Sequence, residues 1–363
     1  MMQISYRKSA YVSNQPSNWR VGMVVPLEGG AGIFGPSCQA VAELAAAEFN
    51  KENGVLGRQV ELDFIDAGQP PHKIAEQVAA LVDGGRLDAV TGWHISSVRQ
   101  ALVPAIAGRL PYVYTSLYEG GETRPGVYCS GEVPNFQIVP ALAWMARHLG
   151  KRRWFVVGHD YVWPRQTAVV LAEACAELGI EIVGEAFVRM DAGRVNLLVE
   201  EVARNTCDGV LMLLVGQDAA LFNRLFAERG LSDLMVRYSP LMEENMVMAS
   251  GPEATEDLYV SAGFFRTLIT AGSFDLQSRY AAFHGVGAPP LNNVAESCYE
   301  GMHTLAHLTR LAGSACVQDM NRFIGELGYD GPRGTVQFRG NQATHPVHLA
   351  RVNGLDFEII DEL

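Results

Sequence analysis

No stretch of about 18 consecutive apolar residues occurs in this chain, so it carries no membrane-spanning helix signal. Basic charge is scarce: 28 Lys and Arg stand against 40 Asp and Glu, for a formal charge of −12. A field of that sign repels a phosphate backbone. The only local basic cluster, Lys151-Arg152-Arg153, precedes a strand pattern and reads as a solvated loop, so no direct nucleic-acid binding is expected. No Cys-x-x-Cys pair exists. Cys38, Cys129, Cys175, Cys207, Cys298 and Cys316 are scattered, which offers no disulfide framework and fits a reducing compartment. Cys175 and Cys316 fall on the apolar stripes of helical patterns and read as small core residues. A secretory leader needs an apolar segment after its positive charge, and Arg7-Lys8 is followed by polar residues. The expectation is a cytoplasmic protein, or a periplasmic one if the start is misassigned.

Catalytic signatures are missing as well. There is no G-x-S-x-G, H-E-x-x-H or D-F-G. The nine histidines are dispersed; His303 and His307 have i, i+4 spacing, but no third metal ligand is obvious nearby. His159-Asp160 has no accompanying nucleophile. No catalytic residue, metal or cofactor is expected, and the chain does not read as an enzyme.

What is present is a regular alternation of strand and helix patterns. At 363 residues, 48% apolar, the chain is too long for one compact core and suits two lobes. Continuously apolar strands such as Trp19–Val25 and Trp154–Val157 alternate with helical stripes such as Val41, Leu44, Ala45 and Phe49. Such alternation implies βαβ units and parallel sheets covered on both faces. The tail differs: strands at 335–339, 348–352 and 357–360 read as antiparallel.

Ligands of open parallel sheets bind beyond the carboxyl ends of the strands. There the sequence gathers glycine, hydroxyl and aromatic groups: the loop 26–35, Trp93-His94-Ile95-Ser96-Ser97, Ser116-Leu117-Tyr118-Glu119, His159-Asp160-Tyr161-Val162-Trp163, and Val215-Gly216. Ser96 and Ser97 stand directly before a helix pattern, where serine either caps the helix or presents the helix start to a ligand oxygen. The loop 26–35 matches neither phosphate-binding glycine motif.

The residues Gly32-Ile-Phe-Gly-Pro36, Ser96 with Arg99-Gln-Ala-Leu102, Tyr118-Glu-Gly120, Pro134-Asn135, Asp160-Tyr-Val-Trp-Pro-Arg165 and Val215-Gly216 together resemble the type I periplasmic-binding-protein family. The resemblance runs over residues 19–355. It is nearest to the branch of branched-chain amino-acid and short-amide receptors, which includes cytoplasmic amide sensors that negatively regulate aliphatic amidase expression. It implies an α/β fold of two Rossmann-like lobes joined by a three-stranded hinge, with 18–131 plus 263–330 in the first lobe, 132–262 plus 331–363 in the second, and 1–17 as an extension. It further implies that Ser96, Tyr114 and Ser116, with Trp93, His94, Ser97 and Tyr118 around them, line the first lobe's wall. Tyr161, Trp163, Val215 and Gly216 close from the second, and Glu243 or Glu244 stands where amino-acid binders hold an ammonium. Trp93-His94 and Trp163 depart from the expected smaller and tyrosine residues. The implied function is a receptor for a short amide or urea-like compound, regulating amidase expression through an antiterminator-type partner. The alternative is a transport receptor for an amide, urea or branched-chain amino acid, serving a membrane permease. Self-association stays open.

Overall fold

The computed structural model describes residues 18–190 and 193–363; the expected extension 1–17 lies outside the described residues. The chain starts as β1 (Trp19–Val25), α1 (Gly35–Lys51), β2 (Val60–Asp66), α2 (Pro71–Asp83), β3 (Ala89–Gly92), α3 (Ser96–Ile106), β4 (Tyr112–Tyr114) and β5 (Val127–Cys129). It crosses to α4 (Pro134–His148), β6 (Arg153–His159), α5 (Val162–Glu177), β7 (Glu181–Val188), α6 (Val195–Ala203) and β8 (Gly209–Leu213). There follow α7 (Gln217–Glu228), β9 (Val236–Ser239), α8 (Glu244–Ser250) and β10 (Leu258–Ala262). It returns with α9 (Ala271–His284), α10 (Asn293–Ala312), α11 (Val317–Phe323), β11 (Gly328–Gly331), β12 (Gly334–Arg339) and β13 (Gln342–Thr344), then ends as β14 (His348–Asn353) and β15 (Asp356–Glu362).

Two sheets result, ordered β11-β12-β13-β5-β4-β3-β1-β2 and β15-β14-β10-β9-β8-β6-β7. Their centres are parallel, and the late strands add antiparallel edges. Strand β1 shows why its sheet is covered twice. Trp19, Val21, Met23 and Val25 pack toward α1 and α10, while Val24 joins Val98, Leu102 and Ile106 of α3 on the other face. Burying one such side chain contributes about 1.5–3 kcal/mol. The proline near the start of α1 carries no backbone N–H to leave unpaired there. Helix α10 begins where the Asn292 side chain accepts the Ala295 N–H at 2.8 Å, and ends at Gly313, whose φ of 62° suits a left-handed cap.

Three crossovers join the lobes, after β5, β10 and β13. The expected division at residue 331 is corrected by the sheet pairing. Strands β12 and β13 complete the first lobe's sheet, with Gln342 beside Cys129 of β5, and only β14 and β15 belong to the second. The tail strands are antiparallel to their neighbours as their pattern suggested, but they serve two sheets. Four short strands, β5, β9, β11 and β13, lie outside the strands expected from the sequence. Cys316 is exposed at the start of α11 and is no core residue; the other five cysteines are buried. Among the described residues, no helix is long and apolar enough to cross a membrane.

Candidate ligand cleft

The carboxyl ends of β1, β3 and β4 face those of β6, β8 and β9 across a closed gap. The lobes touch directly. The Gln217 N–H donates to Gly30 O at 3.0 Å, and the Asn245 side-chain amide donates to Ile33 O at 2.7 Å. Glycine 216, at φ 63° and ψ −133°, lies so near the Gly30 carbonyl that a Cβ would sit 2.0 Å from that oxygen. Only glycine fits that backbone.

Strand β3 ends at Gly92, and the following turn is braced from β4. The His94 N–H donates to Ser116 Oγ at 2.9 Å, while the Ser116 hydroxyl at 2.7 Å and the Tyr114 hydroxyl at 2.9 Å both donate to His94 O. The His94 ring points away from the gap. Its Nδ1–H reaches Val24 O at 2.9 Å and its Nε2 accepts from Tyr112 OH at 2.6 Å. Burial lowers the His94 pKa to about 4, so this ring is a neutral internal strut. Trp93 is buried edge-on against Phe34, with ring centroids 4.9 Å apart.

Helix α3 starts with Ser96 and Ser97 as its first two helical residues. The cap position is Ile95, and no side chain caps the helix there. Neither serine is therefore a cap. The Val98 and Arg99 N–H groups bond back to Ile95 O, so the N–H groups of Ser96 and Ser97 stand at the open, partly positive end of the helix. The Ser96 hydroxyl is held loosely, 3.5 Å from Tyr114 OH. Tyr118 lies deeper in the first lobe and donates to Gln342 Oε1 at 2.6 Å.

From the second lobe, Tyr161 and Trp163 flank the start of α5 with ring centroids 6.3 Å apart; Trp163 is buried and Tyr161 half-buried. Val215 precedes Gly216, and its N–H donates to His159 Nδ1 at 3.3 Å. His159 Nε2 meets Asp218 Oδ2 at 3.0 Å. The two glutamates are engaged elsewhere. Glu243 Oε2 accepts from the Val294 N–H at 3.3 Å, at the start of α10, and Glu244 Oε1 accepts from the Arg266 N–H at 3.0 Å. Both sit at helix starts, where acids are favoured.

Burial, then the neighbouring Glu244, pushes the Glu243 carboxyl well above its usual range, and burial pushes Glu244 up to about 7. The folded pKa of Glu244 exceeds the unfolded value. Its protonated form thus favours folding below pH 4.5, and that contribution is lost as pH rises through about 7. Glu244→Gln keeps the acceptor oxygen without the titration. The variant should match the parent in melting temperature near pH 5 and exceed it near pH 8, by up to about 3 kcal/mol in unfolding free energy. Parallel thermal melts at the two pH values check this; a gap that does not grow with pH contradicts it.

The sequence assigns no role to two groups, one of which, Arg99, stands in a motif that carries the resemblance. Arg99, one turn along α3 from Ser96, stacks over Tyr114 and Tyr118, 5.4 and 5.0 Å from their ring centroids, and pairs with Glu119 and Glu122, each at 2.5 Å. At the hinge, Glu132 of the first crossover accepts the Gly263 N–H of the second at 3.1 Å and lies 3.9 Å from His345 of the third. Arg333 reaches the same carboxylate at 3.4 Å, lies 3.6 Å from Glu296 and pairs closely with Glu300, all buried. His303 and His307 line a separate cavity of about 420 Å³ in the first lobe with Tyr329 and Arg279. Among the described residues, no group of three or more His, Cys, Asp or Glu side chains is placed to hold a metal ion.

A family model for periplasmic binding proteins matches residues 18–356. Among solved structures, a solute-binding protein of an ABC transporter from R. palustris, in complex with benzoate, superposes with a TM-score of 0.83 at 17% identity, over 95% of this chain and 96% of that one. A periplasmic binding protein from Burkholderia mallei gives 0.85 at 17% identity, over 95% and 94%. The branched-chain amino-acid transporter substrate-binding protein from Streptococcus pneumoniae, in complex with isoleucine, gives 0.79 at 18% identity, over 94% and 99%. At these identities the likeness shows the fold.

Proposed function

Because the chain belongs to the periplasmic-binding-protein family and is a ligand-binding receptor of type I architecture, we propose that it closes on a small uncharged polar solute, a short amide or urea-like compound, as the solute-binding component of an ABC-type uptake system. The transport setting is supported by the solved neighbours described as transporter components. The alternative setting, a cytoplasmic sensor acting on an antiterminator-type partner, has the sequence resemblance behind it and no structural counterpart among those neighbours.

The chemistry of the cleft supports the ligand class, and one observation carries it. The cation beside the cleft, Arg99, is already held by Glu119 and Glu122. A benzoate-like carboxylate would find this guanidinium already neutralised, and an unpaired charge in a desolvated site costs several kcal/mol. An amide oxygen needs less. The Ser96 hydroxyl and the first N–H groups of α3 supply uncharged donors.

A thermal-shift panel of short amides, ureas, branched-chain amino acids and aromatic carboxylates at equal concentration tests the reading. Amides or ureas should raise the melting temperature, and Ser96→Ala should weaken the best of them by about 1–3 kcal/mol in titration calorimetry. A response confined to amino acids or aromatic carboxylates would overturn it.

A further inference from the structure

The Arg99 ion pairs leave one atom unexplained. Glu119 uses Oε1 on the guanidinium, but Oε2 is buried and has no hydrogen-bond partner among the described residues. The side chain is only 9% exposed. An orphaned carboxylate oxygen in that setting is costly unless a donor arrives. Glu122 differs: its Oε2 takes Arg99 and its Oε1 takes the backbone N–H groups of Thr123 and Arg124 at 3.1 and 3.0 Å.

Glu119 also has an address. It lines a cavity of about 570 Å³ walled by Arg99, Gln100 and the 119–124 loop from the first lobe and by Val162 and Gln166 of α5 from the second. That volume lies within the range of small-molecule sites. The cavity exists only where the lobes meet, so its contents feel closure. A continuous chain of contacts ties it to the cleft. Ser96 touches Tyr114, the Tyr114 ring lies under Arg99, and Arg99 holds Glu119. Ser96 and Arg99 are three residues apart on one helix and so share a face.

We propose that Glu119 is a ligand-binding residue whose carboxylate turns toward the cavity, so that the buried Oε2 accepts an N–H from the solute, making the receptor selective for molecules with a nitrogen donor beside a carbonyl acceptor. The carbonyl oxygen goes to Ser96 and the start of α3, and the nitrogen end goes toward the inter-lobe cavity. This deepens the solute-receptor reading and rests on it. No bond is made or broken; the selectivity is a difference of hydrogen bonds between a ligand that donates and one that cannot.

Propionamide and butanone test this, because they match in size and carbonyl and differ in the N–H groups. The parent protein should prefer propionamide by about ten-fold or more. Glu119→Gln should erase that preference or reverse it toward butanone, because the amide oxygen stays on Arg99 and an NH2 donor takes the place of Oε2. Glu122→Gln releases the same guanidinium and reports on fold and charge alone, so its propionamide-to-butanone ratio should stay near that of the parent. Ser96→Ala should weaken both ligands together. If propionamide binds and Glu119→Gln leaves the ratio unchanged, or if Glu122→Gln lowers it equally, the role of Glu119 is overturned while the receptor reading stands. If neither probe nor any other N–H solute binds the parent, both fall.

Discussion

Gly216→Val should abolish ligand-driven closure while leaving both lobes folded. The cause is local and severe. A Cβ at this position would stand 2.0 Å from the Gly30 carbonyl oxygen, on the opposite lobe, and the backbone holds φ at 63°, where a β-branched residue is a steric outlier. The Gln217 N–H, which donates to Gly30 O at 3.0 Å, would be carried away with the displaced loop. Separating the lobes strips the ligand of its second wall, including Tyr161 and Trp163. Affinity should fall by about 100-fold or more, some 3 kcal/mol, and small-angle scattering should show no compaction on adding ligand. Because the contact is between lobes, the melting transition should move far less than the affinity. Ligand binding and compaction at the parent's level would show that closure does not pass through this glycine pair.

Arg333→Met should have the largest effect on stability. Arg333 is fully buried with Glu132, Glu296 and Glu300 around it, and its Nη2 donates to Ser130 O at 3.3 Å. Methionine fills much of the stem's space but supplies no charge. Three buried carboxyl groups would then face one another without a cation. Removing one partner of a buried ionic group commonly costs about 3–5 kcal/mol. Denaturant unfolding should show that loss. Adding Glu300→Gln should return part of it, because the pair is coupled through direct contact. A variant as stable as the parent, or a double variant no better than the single one, would contradict the role given to this arginine. The same group should tune motion, since Glu132 joins all three crossovers.

Much of the architecture was readable from apolar patterning. Long strands such as β1 and β6 and helices such as α1 stand out because both of their faces are buried and periodicity is all that such burial requires. The three-residue β5 and four-residue β9 were invisible because their length is too short for any period to show. Of the late strands, β12, β14 and β15 show in the pattern and the short β11 and β13 do not, and which sheet they join is decided by tertiary contacts such as Gln342 beside Cys129, on which local pattern is silent. At the cleft, the sequence placed Ser96, Tyr114, Ser116, Tyr161 and Gly216 at the ends of their strands, yet could not tell orientation. His94 looked like a cleft residue and proves to be a strut into β1 and β4, a matter of which way one ring turns. Glu119 was part of a noted motif, but a half-used carboxylate exists only once Arg99 has folded against it. The hinge cluster was missed for the same reason. Its members, from Glu132 to His345, are spread along most of the chain.

The interleaving of the two lobes also sets a timetable on the ribosome. The first lobe cannot complete its sheet until β13 emerges, since Gln342 Nε2 donates to Gly131 O at 2.9 Å across a sequence separation of 211. At a synthesis rate of about 5–20 residues per second, that is roughly 10–40 s of waiting. During this interval β5 is an open strand edge, while the middle of the chain, from α4 to β10, has all of its parallel strands in hand. The open edge spans only Val127, Tyr128 and Cys129. So short an edge gives a neighbouring nascent chain little to pair with, and its brevity guards the unfinished lobe against joining another copy.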